Sequence, residues 1–284
     1  MIDYNAQACF VPGNTIPNFF PGLKVQLFHG LEWKKKSHFI IRDCFDLYCT
    51  HGPITTSRFN TLKQKHQNFN VMETGWPKID ALFDAVAMDI PEAKGPIILY
   101  APTFSPKLTS APELFSNIKL LSQTKPWFWM VKFHPKMDPK WIAQFQAIEN
   151  QNLKVINTDA IAPFLQTAHL MVSDTSSVIG EFALLKKPTI TFNNAAPDNY
   201  VINITHAGEL ESTIQQSLTN ANLIESEIIE YIDQLHPYYD GKSSKRVMAA
   251  VTDMIERDLS HLKARPKNLL RNIKMRIKFN YWKS

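Results

Sequence analysis

Apolar residues along this chain fall in short runs, each closed by glycine, proline or a cluster of hydroxyl residues. Positions 8–11 end at Pro12-Gly13, 24–28 at His29-Gly30, 45–49 at Thr50-His51-Gly52-Pro53, and 70–73 at Thr74-Gly75-Trp76-Pro77. Further runs lie at 96–100, 127–133, 154–156, 170–172 and 189–192. Between them apolar positions recur at helical spacing over 54–65, 113–124, 139–150, 161–167, 177–185, 209–218, 225–235 and 243–259. Strands alternating with helices predict parallel sheets in an α/β architecture. A charged loop between Pro91 and Gly95 is the expected domain break. It gives a short N-terminal α/β domain over 1–90, a Rossmann-like domain over 91–259, and a tail over 260–284.

The stretch from Met171 to Pro188 organises the second domain. A buried strand runs into Ser173-Asp-Thr-Ser176, and a helix follows from Ser177. Asp174 or Thr175 is the expected N-cap. A helix start rich in hydroxyls leaves backbone N–H groups and a positive dipole end for a phosphate. Thr175, Ser176 and Ser177 are therefore candidate phosphate ligands, although an ordinary capped helix reads the same way. Asp174, unwelcome beside a phosphate, is assigned to structure. Glu181 is placed either to reach ribose hydroxyls or to sit in solvent.

Five polar motifs follow predicted strands directly: His29-Gly30, Gly75-Trp76-Pro77, Tyr100 to Thr103, His134-Pro135 and Asp174 to Ser177. Ligands of open parallel sheets bind beyond the carboxyl ends of strands, so these motifs are expected to line one cleft. His29 is suited to take a proton from a hydroxyl; taken singly, it reads first as a partly buried structural histidine bonded to a carbonyl. Strand alternation puts Lys132 and His134 on one side, a plausible pair for phosphate.

Composition narrows the chemistry. The 284 residues carry a formal charge of +5, but eight Lys and Arg and no acid lie from Leu262 to Ser284, which leaves the remainder at −3. A body without a basic stripe argues against a nucleic-acid partner. Cys9, Cys44 and Cys49 lack metal-ligand spacing, and neither His-x-x-x-His nor Asp-x-Asp occurs, so neither metal nor cofactor is expected. Nine glycines, without a Walker loop or Gly-x-Gly-x-x-Gly, leave no glycine-rich nucleotide cradle. No 18-residue apolar run and no signal peptide are apparent, so a cytoplasmic protein is expected. In the tail, Leu269, Leu270, Ile273, Ile277 and Tyr281 share one helical face, Met275, Phe279 and Trp282 broaden it, and Lys267, Arg271, Lys274 and Lys278 lie opposite. Residues 266–284 thus have the pattern of an interfacial helix on an anionic membrane surface; packing on the other domain is the alternative.

The ordered set of motifs resembles the CDP-glycerol glycerophosphotransferase family. It comprises His29-Gly30 with Lys34, Gly75-Trp-Pro-Lys-Ile-Asp80, Leu99-Tyr-Ala-Pro-Thr103, Lys132-Phe-His-Pro135, Ser173-Asp-Thr-Ser-Ser177 with Phe182-Ala-Leu-Leu-Lys-Lys-Pro188, and Asp240-Gly-Lys-Ser-Ser-Lys-Arg246. The resemblance implies a GT-B-like fold of two Rossmann-type domains facing a cleft, with the N-terminal one shortened. It implies transfer of glycerol phosphate, or a related polyol phosphate, from a CDP-linked donor to a lipid-linked cell-surface glycan, with release of CMP at the inner face of the membrane. His29 would deprotonate the acceptor, and His134 with Lys132 would contact donor phosphate. Ser176 and Ser177 would hold the pyrophosphate, and Lys242 and Ser243 would close over it; beside the resemblance, the residues themselves add Thr175 to the phosphate set and Thr103 and Glu181 to the nucleotide set. Leu31-Glu32 stands where the family has Thr-Pro, Thr175 where it has Tyr, and Gly180-Glu181 where it has Phe-Asp. These departures bear on donor and acceptor identity and leave a nucleotide-sugar glycosyltransferase or epimerase of the same fold as one alternative; the shortened N-terminal domain leaves a second, a non-catalytic membrane-docked partner in surface-polymer assembly.

Overall fold

A computed structural model describes residues 4–31, 36–220, 222–257, 259–260 and 262–282. In chain order the elements are β1 (Ala8–Val11), β2 (Leu23–Gln26), β3 (Leu47–Thr50), α1 (Pro53–His66), β4 (Asn70–Glu73), α2 (Pro77–Asp84), β5 (Ile97–Tyr100), α3 (Ala111–Thr124), β6 (Phe128–Val131), α4 (Pro139–Ala147) and β7 (Leu153–Val155). There follow α5 (Ala162–Thr167), β8 (Leu170–Ser173), α6 (Val178–Ala183), β9 (Thr189–Phe192), β10 (Ile202–Ile204), α7 (Leu210–Thr219), α8 (Glu225–Leu235), α9 (Ser243–Glu256) and α10 (Leu269–Phe279). Both sheets are wholly parallel, as the alternating pattern required.

The chain divides differently from the sequence expectation. One compact unit joins residues 1–80 to 233–284, and the other is 81–232, so the boundaries fall inside α2 and α8. The reason is the two-sided sheet of the first unit, ordered β1-β2-β3-β4. One face packs Phe28, Phe45, Tyr48 and Phe69 with Phe59 of α1. The other presents Leu23, Val25, Leu47 and Cys49, and α9 covers them with Val247, Ala250, Val251 and Met254. Helix α9 therefore completes the N-terminal sheet, not the C-terminal one.

The second unit has six strands in the order β10-β9-β8-β5-β6-β7. Starting at β5, the chain runs outward through β6 and β7, then returns to place β8 on the other side. Strand order thus reverses between β5 and β8, the position where open α/β sheets hold ligands. One continuous core includes Ile98, Trp129, Val172 and Ile190 from the strands with Leu114, Phe145 and Ile214 from α3, α4 and α7. β10 was absent from the apolar pattern because it is short and has polar Asn203 at its centre. That side chain accepts bonds from the Thr191 hydroxyl (2.9 Å) and the Asn194 N–H (3.0 Å).

A carboxylate fixes the returning segment. Asp80 accepts the N–H groups of Ser243 (2.8 Å) and Ser244 (2.7 Å), satisfying the first turn of α9. These bonds and the Ser243 and Ser244 hydroxyls outweigh burial and hold its pKa below the usual value. Asp80→Ala is expected to lower unfolding free energy by about 1 kcal/mol, as loss of a helix cap does. A urea midpoint identical to wild type would refute that role for Asp80.

Candidate active site

In the second unit, the loops after β5, β6 and β8 all leave the carboxyl edge of the sheet. Asp174, fully buried, clamps two of them together. It accepts Thr103 N–H (2.8 Å), Ser110 N–H (2.8 Å), Ser110 O–H (2.9 Å) and Thr175 N–H (2.6 Å). Burial is the largest influence on this carboxyl and raises its pKa in spite of those bonds. The structural assignment of Asp174 therefore stands, but its expected capping role does not. Ser177 occupies the N-cap of α6 without a side-chain cap, and Thr175 turns its hydroxyl oxygen to Ala195 N–H at 3.0 Å. Ser176 is half-buried and Ser177 exposed beside this clamp. Glu181 is 7% exposed, so it is not a solvated helix residue.

Lys132 and His134 follow β6 and line one open pocket of about 440 Å³ with Gln146, Asn157, Thr158 and Asp159. β6 ends at Val131, so the loop, and not strand alternation, places them together. His134 Nδ1 accepts Lys136 N–H at 3.0 Å, which leaves Nε2 to carry the proton of the neutral ring. Its ring lies 4.4 Å from that of Phe104. Desolvation first, then the charges of Lys136 and Lys132, lower the His134 pKa. Desolvation likewise lowers that of Lys132, against the pull of Asp159. A neutral N–H donor beside an ammonium is suited to a phosphate oxygen.

In the first unit, His29 projects from the loop after β2 and is exposed. β2 stops at Gln26, earlier than the apolar run suggested, because Phe28 takes φ of 63°. That left-handed conformation is costly for an aromatic residue. It is held by Trp76 Nε1–H donating to Phe28 O (3.2 Å) and by the Phe28 ring meeting His51 and Phe59, each at 5.2 Å. The turn sends Phe28 into the core and leaves His29 outside. Lys34 and Glu32 lie outside the described residues.

Gly75-Trp76-Pro77 supports this arrangement. Gly75 has φ of 76°, and a Cβ there would come within 2.4 Å of Ser243 Oγ. Trp76 N–H donates to His236 Nε2 at 2.9 Å. Ser243 is 1% exposed, with its N–H given to Asp80, so it packs inside the first unit and is not presented to a donor. Lys242 is exposed at the N-cap of α9. Arg246 reads out the same motif: it pairs with Asp240 (2.9 Å), donates to Thr74 O (2.9 Å) and lies 4.0 Å over the Tyr238 ring.

Sequence reasoning missed the buried histidines. His51 follows β3 as the other motifs follow their strands, which was the available signal; His236 offered none. Among the described residues no group of three His, Cys, Asp or Glu is placed to hold a metal ion.

The tail is helical, as expected, but oriented otherwise than its pattern suggested. Tyr281 stacks on Phe19 at 4.7 Å and Phe279 meets Phe19 and Phe20 at 6.4 and 6.2 Å. Tyr281 thus leaves the outward stripe, and Arg271, Asn272, Met275 and Arg276 form a half-buried inner face. Leu269, Leu270, Ile273 and Ile277 remain exposed. No described helix is long and apolar enough to cross a membrane.

The profile of a family described as CDP-Glycerol:Poly(glycerophosphate) glycerophosphotransferase matches residues 43–253. That span includes Lys132, His134 and Thr175 to Ser177, while His29 precedes it. A teichoic acid glycerol-phosphate primase of Bacillus subtilis (strain 168) is 28% identical over 176 residues, covering 56% of this chain and 44% of the relative. The teichoic acid ribitol-phosphate polymerase TarK of Staphylococcus aureus (strain NCTC 8325 / PS 47) is 24% identical over 206 residues, covering 63% and 40%. The matched segments therefore span less than half of these relatives' length. Among solved structures, the wall teichoic acid polymerase TagF superposes with a TM-score of 0.63 at 14% identity, over 88% of this chain and 72% of that one. A putative UDP-N-acetylglucosamine 2-epimerase of Listeria monocytogenes gives 0.64 at 16%, over 90% and 77%. Both likenesses establish a shared GT-B-like fold.

The buried histidines predict acid sensitivity in the first unit. Desolvation, reinforced by His236, pushes the His51 pKa down to about 3; desolvation, reinforced by Arg246, takes His236 to about 4. The unfolded chain binds protons that the folded state refuses, so stability is full above the unfolded value near 6.5 and falls below it. Each histidine removes up to about 1.4 kcal/mol per pH unit across that window. Urea midpoints taken from about pH 7 to about pH 5 should fall less steeply in His236→Gln than in wild type, and parallel slopes would contradict this.

Proposed function

Because the chain belongs to the CDP-glycerol:poly(glycerophosphate) glycerophosphotransferase family, we propose that it transfers glycerol phosphate, or a related polyol phosphate, from a CDP-linked donor to a lipid-linked cell-surface glycan. The acceptor oxygen attacks the phosphorus that bears the polyol. The bond from that phosphorus to the bridging oxygen breaks, and CMP departs with that oxygen. The proton of the acceptor hydroxyl passes to His29.

The observation that carries this reading is the pairing of Lys132 with His134 in a pocket at the carboxyl edge of a Rossmann-ordered sheet. The ammonium and the Nε2–H of a neutral imidazole would bind donor phosphate and stabilise the charge that builds on it during transfer. Ser176, Ser177 and Thr175 supply hydroxyls beside the loop that Asp174 clamps, Thr103 and the buried Glu181 would serve the nucleotide, and exposed Lys242 would add positive charge. His29, held outward by the Phe28 turn, would be the general base. Catalysis would rest on positioning and charge stabilisation. Residues 266–282, with an outward aliphatic stripe and no acidic side chain, would keep the enzyme on the inner membrane face near a lipid-linked acceptor.

Release of CMP from CDP-glycerol in the presence of a lipid-linked acceptor is the direct test, with CDP-ribitol and UDP-sugars as comparison donors. His29→Ala is expected to lower turnover by about 10²–10⁴-fold, the usual contribution of a general base, while donor binding is retained. His134→Ala and Lys132→Ala are expected to weaken donor binding. Undiminished CMP release by His29→Ala would defeat the mechanism, and turnover of a UDP-sugar in place of both CDP-polyols would defeat the substrate class.

A further inference from the structure

A second pocket, of about 350 Å³, lies in the first unit away from His29. It opens at the end where β2 and β3 begin, whereas His29 follows the end of β2. Its walls include Lys24, Arg265, Lys267, Arg271 and Asn272, with Asp43 as an acidic lining residue. Asp43 is engaged elsewhere, by His66 Nδ1 (3.1 Å) and Asn68 Nδ2 (2.8 Å). Arg265 pairs with Asp46, and Arg271 donates to Arg42 O. Four cations thus line the recess with one carboxylate, Asp43, while Asp46 offsets Arg265 from outside the lining, an excess of positive charge in a recess whose size falls in the range of about 300–1,000 Å³ typical of small-ligand sites.

The pocket is built partly by α10, and the same helix faces outward with its aliphatic side. Leu269, Ile273 and Ile277 repeat every fourth residue, and Leu270, Lys274 and Lys278 form the adjacent row. Leu270 is 79% exposed and Ile277 62%. The tail is fastened to its unit by Arg271, which donates to Arg42 O, by Arg276 over the Phe19 ring, and by Phe279 and Tyr281 against Phe19, so the stripe is not consumed by internal packing. Exposed aliphatic residues flanked by lysines, with no acidic residue from 260 to 284, are complementary to an anionic bilayer.

We propose that this pocket receives the phosphate of an anionic lipid headgroup while the α10 stripe enters the interfacial region beside it. The proposal rests on the membrane reading above and adds to it a built headgroup site that includes Lys24, a residue outside the helix. Lys24 and Lys267 contact the headgroup oxygens, and Asn272 adds an amide. Lys274 and Lys278 contribute only the diffuse attraction of a charged surface. The bilayer then lies at the end of the first-unit sheet opposite His29, so a lipid-linked acceptor must extend past the sheet to be used.

The test is flotation of the full chain with vesicles of phosphatidylcholine alone and of phosphatidylcholine mixed equally with phosphatidylglycerol. Wild type should bind the anionic vesicles and not the neutral ones. Lys24→Ala and Lys267→Ala should each reduce that binding about fivefold, from the roughly constant contribution of one basic residue near an anionic surface. High salt should erase the effect of Lys278→Ala, which acts through a screened field, and leave that of Lys24→Ala. An unchanged melting temperature in Lys24→Ala excludes a folding defect as the cause. The proposal is overturned if Lys24→Ala binds anionic vesicles like wild type, or if saturating soluble glycerol 3-phosphate raises the melting temperature of wild type but not of Lys24→Ala while leaving vesicle flotation unchanged, which would assign the pocket to free phosphate. Failure of wild type to bind anionic vesicles overturns both pocket and membrane reading but leaves the transferase reading intact. Vesicle binding without CMP release from any CDP-polyol would sink the transferase reading and leave the pocket standing.

Discussion

A parallel sheet with apolar residues on both faces cannot exist in water until both faces are covered, and that constraint shapes the first unit. Strand β3 turns Tyr48 one way, where Phe28 from the turn after β2 joins it, and β2 and β3 turn Leu23, Val25, Leu47 and Cys49 the other. The local chain supplies α1 for the first set only. The second set is covered by α9, drawn from the far end of the sequence, and burial of such side chains is the main favourable term in folding. Once α9 must return, its N-terminal N–H groups need partners, and Asp80 provides them.

This explains why the ordered motifs carry two kinds of residue. Some hold the architecture: Gly75 admits Ser243, Trp76 ties Phe28 to His236, Asp80 caps α9, and Asp174 binds two loops at the point where strand order reverses. Others are left facing outward by that scaffold, notably His29, Lys132, His134 and Ser177. The first group confers precision on the second. A strained turn at Phe28 persists because an indole N–H and a ring cluster hold it, and the result is a histidine presented at a defined place.

The tail follows the same logic in reverse. Aromatic and arginine side chains of α10 satisfy contacts inside the first unit, so its aliphatic row is released to the surface. An apolar row of this length on a soluble face is informative because polar residues could have occupied it at no structural cost. Its neighbours are lysines, and the recess behind it is cationic.

The sequence by itself determined the class of fold, nearly every strand and helix, and the order of the strand-end motifs. It did so because period and punctuation are local properties of the chain. It also assigned Asp174 to structure and not to the candidate phosphate ligands, since a carboxylate and a phosphate repel. Tertiary structure alone decided that 243–256 belongs with the N-terminal sheet, that Ser243 is buried beneath Gly75, and that His51 and His236 form a dehydrated pair of sites. It also decided which face of α10 turns outward. Each of these depends on contacts between residues far apart in the chain, and periodicity records which side of an element is apolar without recording what that side will meet.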